Sequence, residues 1–288
     1  MEKRKIILCP NPYRDKDMHV AAQSKAILDE AGFETVVCLP FQKEGYGADL
    51  GLPIGQLPQE IKRADLLIAF GGDGTILRCA KFLMGTDTKL LGINTGTLGF
   101  MAGLEADQLD KLKLLAEEKY EISEHMTLDI AYHGEDCDIV RSALNEVSAR
   151  SSSFSICDFE VHSYDYLVGK YRADGVLFST PSGSTAYALS AGGPIIEPDL
   201  ECIEMTLLCP HSLFSRATMF SAGKRLRLIN NTSREEYMTV HVDGEHFVDL
   251  GRGSSIEIYR GEHNVKFVNL IGNSFHESLC RKLCRPIK

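Results

Sequence analysis

Asp73 is the residue around which chemistry would centre. It stands in Gly71-Gly72-Asp73-Gly74-Thr75, after the apolar run Leu66-Leu67-Ile68-Ala69-Phe70 and before the helix-like Ile76-Leu77-Arg78. That pattern describes a buried strand, a tight turn and the start of a helix. Glycines let another molecule's phosphates come close to the backbone, and the free amides of a helix N-terminus favour an anion. A carboxylate in such a cradle repels its guest unless it binds a metal ion or accepts a proton during phosphoryl transfer. Gly71, Gly72, Gly74 and Thr75 would then hold phosphate, with Arg78 one turn on, although Arg78 equally suits a solvated helix face. Taken alone, the pentapeptide serves a plain strand-to-helix turn as well as a site. No Gly-Lys-Ser/Thr follows, which argues against a P-loop nucleotidase.

Further polar groups lie downstream. Thr180-Pro181-Ser182-Gly183-Ser184-Thr185-Ala186-Tyr187 places four hydroxyl residues and a glycine around one turn, suited to a ribose or phosphate and equally to a helix cap. Asn145 and Glu146 follow the largely apolar residues 140–144; an amide and a carboxylate there would read an adenine edge or a sugar hydroxyl, or simply end a strand. Arg172 would pair with a phosphate or a surface carboxylate, and Asp174 reads by itself as a turn acid. His211 is read as structural. Gly45-Tyr46-Gly47 is a poor match to a dinucleotide fingerprint, since no strand leads into it.

Several elements must position these residues. Residues 5–9, 35–39, 64–70 and 89–93 read as buried strands, with helices at 21–31 and 75–83 and an amphipathic helix at 107–118 carrying Leu109, Leu112 and Leu115. Alternating strand and helix implies an α/β domain, a parallel sheet with flanking helices. From about residue 120 the texture becomes short segments rich in Val, Ile, Thr, Tyr and Phe, broken by turns. Residues 127–132, 159–161, 226–229, 238–242 and 256–259 are expected strands, and 184–190 a helix. The division expected is residues 1–119 as the α/β domain, 120–271 as a mainly β domain, and 272–288 as a tail, helical over 274–283, packing back on the first.

The 288 residues are 44% hydrophobic and 25% charged, the composition of a soluble globular protein. A net charge of -9 gives no support for non-specific nucleic-acid binding, which needs clustered Lys and Arg. No apolar run approaches the roughly 18 residues that span a membrane, and the short run 6–9 is no signal peptide. The nine cysteines contain no Cys-x-x-Cys pair, so reduced and mostly buried thiols are expected, with no metal site of their own. A cytoplasmic location follows as the expectation.

Gly71 to Thr75 resembles the signature shared by NAD kinases, diacylglycerol and sphingosine kinases, and phosphofructokinases. Asn94-Thr95-Gly96-Thr97-Leu98-Gly99-Phe100 resembles the Asn-x-Gly-x-Leu-Gly-Phe motif of NAD kinases, and the Pro-x-Gly-Thr-x-Asn-Asp type segment of lipid kinases is missing. Ala143-Leu144-Asn145-Glu146 resembles a second NAD kinase motif. The stretch Ala173-Asp174-Gly175-Val176-Leu177-Phe178-Ser179-Thr180-Pro181-Ser182-Gly183-Ser184-Thr185-Ala186-Tyr187, followed by Ser190-Ala191-Gly192-Gly193-Pro194, resembles a third. The likeness spans about residues 5–270, with Ser182 where the family usually has Thr.

This resemblance implies transfer of a phosphoryl group from ATP or another donor, with Mg²⁺ or another divalent metal, to the 2′-hydroxyl of the adenosine ribose of NAD. Asp73 would be the general base. Asp73, Asn145, Asp174, Thr185, Ala186, Tyr187 and Ser190 would contact the dinucleotide, which in the family lies between two domains, and Gly74, Glu146 and Arg172 are expected beside them from their own chemistry. A homodimer or homotetramer is also implied. The competing readings are a lipid or sugar kinase of the same superfamily and a non-catalytic dinucleotide-binding sensor.

Overall fold

The structure, a computed structural model, describes residues 3–40, 54–96, 99–134, 138–153, 155–212, 215–232, 237–272 and 275–283. Gly45-Tyr46-Gly47, Thr97, Leu98, Cys137 and Cys284 lie outside the described residues. The chain forms two compact units, Met1–Glu124 with Val265–Lys288, and His125–Asn264.

In the first unit the strands are β1 (Lys5–Pro10), β2 (Glu34–Cys38), β3 (Ile54–Gly55), β4 (Leu66–Gly71), β5 (Lys89–Asn94), β6 (Leu104–Glu105) and β7 (Glu121–His125). The chain's last strand, Val265–Asn269, completes the sheet, whose order is β3-β2-β1-β4-β5, then the last strand, then β7, with β6 also on β5. The described registers from β3 through β5 to the last strand are parallel. Every residue of β4 is buried, and five of six in β1 and β5. Continuous apolar runs of this kind are what a parallel sheet covered on both faces requires. The helices α1 (His19–Glu30) and α2 (Asp73–Leu83) lie in the β1–β2 and β4–β5 connections.

Two sequence expectations are corrected here. Residues 107–118 do not form an α-helix; a 3₁₀ helix runs over Leu109–Leu115. Leu109, Leu112 and Leu115 are spaced by three, the 3₁₀ period, and all three are buried on one face. The units divide after Glu124 and after Asn264, not after 119 and 271, because Val265–Asn269 pairs in parallel with β5. The tail beyond it includes α3 (Phe275–Leu283), part of the same unit.

The second unit holds two antiparallel six-stranded sheets. Its strands are β8 (Leu128–His133), β9 (Asp138–Ala143), β10 (Glu146–Ser151), β11 (Cys157–Ser163), β12 (Tyr166–Ala173), β13 (Gly175–Ser179), β14 (Cys202–Leu208), β15 (Thr218–Ser221), β16 (Leu226–Asn230), β17 (Met238–Val242), β18 (Glu245–Leu250) and β19 (Ser255–Arg260). The orders are β15-β14-β13-β10-β17-β18 and β12-β11-β16-β19-β8-β9. One apolar core joins them, with Val147, Val176, Phe178 and Val240 from the first sheet and Leu128, Phe159, Leu228 and Ile256 from the second. Alternation of buried and partly buried residues in β16, β17 and β19 is the period-2 pattern of sheets with one covered face. The expected helix over 184–190 is broken into a 3₁₀ turn, Ser182–Thr185, and a single α turn, Tyr187–Ser190, because Ala186 between them is non-helical at φ -103°, ψ -123°.

Among the described cysteines, Cys9, Cys38, Cys79 and Cys157 are buried free thiols, Cys202 is half-buried, and Cys209 and Cys280 are exposed. Burial pushes the Cys38 thiol up to about 12. No helix is long and apolar enough to cross a membrane among the described residues.

Leu67 is fully buried at the centre of β4, paired with Ile7 and Leu90. Leu67→Ala is expected to destabilise the protein by about 2–5 kcal/mol, through lost transfer energy and the cavity left. Urea unfolding measures this; an unchanged midpoint would show that β4 is not the core strand described.

Candidate active site

The sheet order explains where a site can form. From β1 the chain turns to β2 on one side; from β4 it turns to β5 on the other. Loops leaving the carboxyl ends of β1 and β4 therefore diverge and leave a crevice, the topological switch point of an open parallel sheet. The registers bring Pro10 level with Phe70, and Gly71 level with Asn94. The loops that follow all three strands thus emerge together. They line a polar cavity of about 340 Å³ with Asn11 and Arg14 after β1, Gly72, Asp73, Gly74 and Thr75 after β4, and Gly96 and Gly99 after β5.

Asp73 is the first residue of α2, with Gly72 as N-cap in extended conformation. Its carboxylate is half-buried and held by two backbone amides of the β5 loop: Phe100 N–H donates to Oδ2 at 2.7 Å and Met101 N–H to Oδ1 at 3.0 Å. A methyl group on Gly99 would collide with Oδ1, so the approach of this loop needs glycine there. The two bonds fix the carboxylate's orientation and leave lone pairs on both oxygens, since a carboxylate can accept about four hydrogen bonds.

The glycines of the turn divide by role. A Cβ on Gly71 would run into the Thr75 side chain, so Gly71 serves the packing of the turn. Cβ atoms on Gly72 and Gly74 would meet no protein atom within 4 Å. Both residues line the cavity, and the space left by their missing side chains belongs to it. Thr75 is buried, and its Oγ1 accepts a hydrogen bond from Asn11 Nδ2 at 2.7 Å, tying the β1 loop to the turn. Arg78 is exposed and lies outside the cavity lining.

Beside the loop that holds Asp73, and outside the cavity lining, stands a side chain the sequence reading did not select. Lys282, on α3, places Nζ 3.2 Å from the centroid of the Phe100 ring. Burial lowers its pKa to about 8, against the opposing pull of Asp73 and Glu105. Glu105 itself accepts from Asn94 Nδ2 at 2.7 Å, and Asn94 Oδ1 accepts from Gly96 N–H at 3.2 Å. Asn94 thereby shapes the loop that reaches Asp73.

In the second unit, Asn145 and Glu146 do not simply end a strand. They form the corner between β9 and β10, locked by Asp243. Asp243 Oδ2 accepts from Leu144 N–H at 3.0 Å, and Oδ1 accepts from the amides of Asn145 and Glu146 at 2.8 and 3.1 Å. Asp243 and Gly244 are the two residues between β17 and β18, at φ +47° and +80°. That is the left-handed pair a two-residue type I′ hairpin demands, and Asp-Gly is a favoured sequence for it.

The same corner receives the hydroxyl-rich turn. Thr180 N–H donates to the Asn145 carbonyl at 2.9 Å and Thr180 Oγ1 to the Leu144 carbonyl at 2.6 Å. A Cβ on Gly183 would strike the Asn145 backbone, so only glycine allows this contact. The start of the Ser182–Thr185 turn thereby packs on the Asn145 corner, while Tyr187 OH accepts from Arg150 on β10 at 3.4 Å. Asn145 Oδ1 is buried and has no hydrogen-bond partner among the described residues. Ser182 Oγ lies 2.7 Å from His125 Nδ1, and burial pushes that imidazole down to about 4, so it is neutral at pH 7. Buried Glu204 accepts from Ser179 at 2.9 Å and Thr206 at 2.6 Å, against Gly193.

Three expected residues stand elsewhere. Arg172 lies on β12, its guanidinium 3.7 Å from Asp158, in a separate cavity of about 450 Å³ with Lys170, Asn231 and Arg252. Asp174 is exposed at the β12–β13 turn, its backbone bonded to Leu208 and Ser151. Ser190 is exposed at the end of the Tyr187–Ser190 turn. His211 donates its amide to the Arg172 carbonyl at 2.9 Å.

Comparison with known proteins gives a consistent result. Residues 54–120 match the ATP-NAD kinase N-terminal domain, and residues 144–270 the ATP-NAD kinase C-terminal domain. The chain is 33% identical to the NAD kinase of Corynebacterium diphtheriae, covering 100% of this chain and 93% of that protein. It is 30% identical to the NAD kinase of Acetivibrio thermocellus, covering 97% and 96%. Its fold resembles yeast NADH kinase complexed with NADH, with a TM-score of 0.83 at 24% identity over 98% of this chain and 87% of that one. It also resembles an NAD kinase from Archaeoglobus fulgidus in complex with ATP, with a TM-score of 0.74 at 24% identity over 96% and 98%.

Asp243→Ala strips the acceptor from three amides and puts a β-carbon residue without a polar side chain at positive φ. Each buried amide left unpaired costs about 1–3 kcal/mol, so a loss of about 3 kcal/mol or more is expected, and a smaller one for Asp243→Asn. Urea unfolding reads both; Asp243→Ala as stable as the parent would mean that the corner does not depend on this carboxylate.

Proposed function

The chain belongs to the NAD kinase family, and on that premise we propose that it transfers the γ-phosphoryl group of ATP to the 2′-hydroxyl of the adenosine ribose of NAD. The observation that carries this reading is the Asp73 carboxylate, oriented by the amides of Phe100 and Met101 on the wall of a cavity opened by Gly72 and Gly74. A lipid or sugar kinase and a non-catalytic sensor find no comparable support.

In the proposed reaction the 2′-oxygen attacks the γ-phosphorus, the bond to the bridging β–γ oxygen breaks, and ADP leaves. A carboxylate is too weak a base to ionise a sugar hydroxyl in advance. Asp73 aligns the hydroxyl and takes its proton as the new O–P bond forms. The amides at the start of α2 and the open faces of Gly72 and Gly74 receive the donor's phosphates, where positioning and charge stabilisation supply most of the catalysis. Gly71 and Thr75 support that turn through their packing and the Asn11 bond. Arg78, outside the cavity lining, is the weakest of the proposed phosphate contacts, and Arg14 is better placed.

Mg²⁺ or another divalent metal would neutralise charge on the β- and γ-phosphates. Among the described residues no group of three or more His, Cys, Asp or Glu side chains could cage it. The fit is to an ion carried mainly by the donor's phosphates and its own waters, with Asp73 the carboxylate lining the cavity.

Recognition of the dinucleotide is assigned to Asp73 and Gly74 in the first unit and to Asn145, Glu146, Arg172, Asp174, Thr185, Ala186, Tyr187 and Ser190 in the second. Asn145 supplies the best support, because its buried Oδ1 awaits a donor such as an adenine amine or ribose hydroxyl. Arg172 and Asp174 are exposed; Asp174 is assigned on the family motif alone, and Arg172 on its charge just before that motif. A cytoplasmic homodimer or homotetramer completes the reading.

The test is NADP formation by the purified protein with ATP, against diacylglycerol and fructose 6-phosphate as alternative acceptors. Asp73→Asn is expected to lose on the order of 10²–10⁴ in kcat, the range for a general base, while still binding NAD by calorimetry. Near-parental turnover by the variant would remove Asp73 from the role, and phosphorylation of a lipid or sugar in place of NAD would overturn the reaction itself.

A further inference from the structure

We propose, resting on the phosphotransfer reading above, that Lys282 is a phosphate-binding residue of the donor site, carried to the Asp73 loop by the C-terminal helix. Three observations point this way. Lys282 Nζ is buried and has no hydrogen-bond partner among the described residues. It lies 3.2 Å from the centroid of the Phe100 ring, and the Phe100 amide is one of the two that hold Asp73. Arg14 is the one cationic side chain lining the described cavity, whereas the donor proposed for it is polyanionic.

A buried ammonium without hydrogen bonds is costly, and the ring beneath it offers only part of the compensation. The negative groups acting on it are Asp73, at the start of α2, and Glu105, on β6. Both already accept protein hydrogen bonds: Asp73 from Phe100 and Met101, and Glu105 from Asn94. On its own helix the neighbouring charge is Arg281, which is exposed. An arriving phosphate oxygen would complete the ammonium's shell and bring its charge beside the group being transferred. The helix supports such placement, since its last turn carries Arg281 and Lys282 while its first carries Glu277.

The sign of the pH dependence follows. Burial lowers this lysine to about 8, so its charge is present below that pH and lost above it. An arginine at the same place stays charged throughout.

Calorimetry with Mg-ATP, at about pH 7.5 and about pH 9, where free lysine would keep its proton, tests the proposal without requiring turnover. The parent protein is expected to bind several-fold more weakly at the higher pH. Lys282→Met keeps the stem and its packing on Phe100, and is expected to bind about 10- to 100-fold more weakly at the lower pH, the range for a hydrogen bond to a charged group, with little pH dependence. Lys282→Arg restores binding and removes the pH dependence. Parental affinity in Lys282→Met, persistence of the pH dependence in Lys282→Arg, or no Mg-ATP binding by the parent each overturns the proposal. A parent that forms NADP while Lys282→Met binds normally rejects this role for Lys282 alone. Lys282-dependent ATP binding without NADP formation rejects the acceptor assigned above and leaves this role standing. Circular dichroism of each variant, with the Arg form as the conservative control, separates misfolding from lost binding.

Discussion

Two hydrogen bonds from the amides of Phe100 and Met101 to the Asp73 carboxylate set the constraint on which the first unit is built. They join the helix start after β4 to the loop after β5, and only strands held in parallel register deliver those two segments side by side. The aligned ends of β4 and β5 depend in turn on apolar runs buried on both faces, Leu66 to Phe70 and Leu90 to Ile93. Gly99 permits the approach of the loop, and Asn94 bends its beginning. The carboxylate so fixed is oriented before any substrate arrives, which is how an enzyme avoids reorganisation during the reaction.

The second unit solves a similar problem with different means. An antiparallel sandwich has no helix N-terminus to offer at its strand ends, so a side chain is used to shape a corner. Asp243 gathers three consecutive amides, and the turn around Gly183 packs onto the backbone that results. Asn145 is left with a buried acceptor whose orientation is set by its neighbours. Rigid backbone corners that present a few polar atoms suit recognition of a nucleotide, whose hydroxyls and amines must be read at fixed distances.

Much of this was legible in the residues. Buried parallel strands read as unbroken apolar runs, so β1, β4 and β5 were found within a residue or two, and the glycines around Asp73 marked the turn. The leucines at 109, 112 and 115 fit either helix, because a short run with period three suits both; backbone bonds three residues apart, Lys111 N–H to the Gln108 carbonyl and Ala116 N–H to the Lys113 carbonyl, mark the 3₁₀ form. The corner at Asn145 was visible only as a motif, because its support comes from Asp243, 98 positions away from Asn145. Asp243-Gly244 carried the signal of a type I′ turn, and with β17 it could have been selected. Asn11, Arg14 and Lys282 had no local signature at all. Sheet order brings the first two to the cavity, and the return of the chain through Val265–Asn269 to the first unit brings the third against Phe100.

The central claim is that Asp73 meets the reacting hydroxyl. A crystal structure of the protein with NAD and an ATP analogue that cannot transfer its terminal phosphoryl group addresses it most directly. The account predicts the ribose 2′-oxygen within about 2.6–3.2 Å of an Asp73 carboxylate oxygen, with the Phe100 and Met101 amides still bound to that carboxylate and the analogue's phosphates over Gly72 and Gly74. A 2′-oxygen lying beyond hydrogen-bond reach of Asp73 while another side chain contacts it would contradict the account.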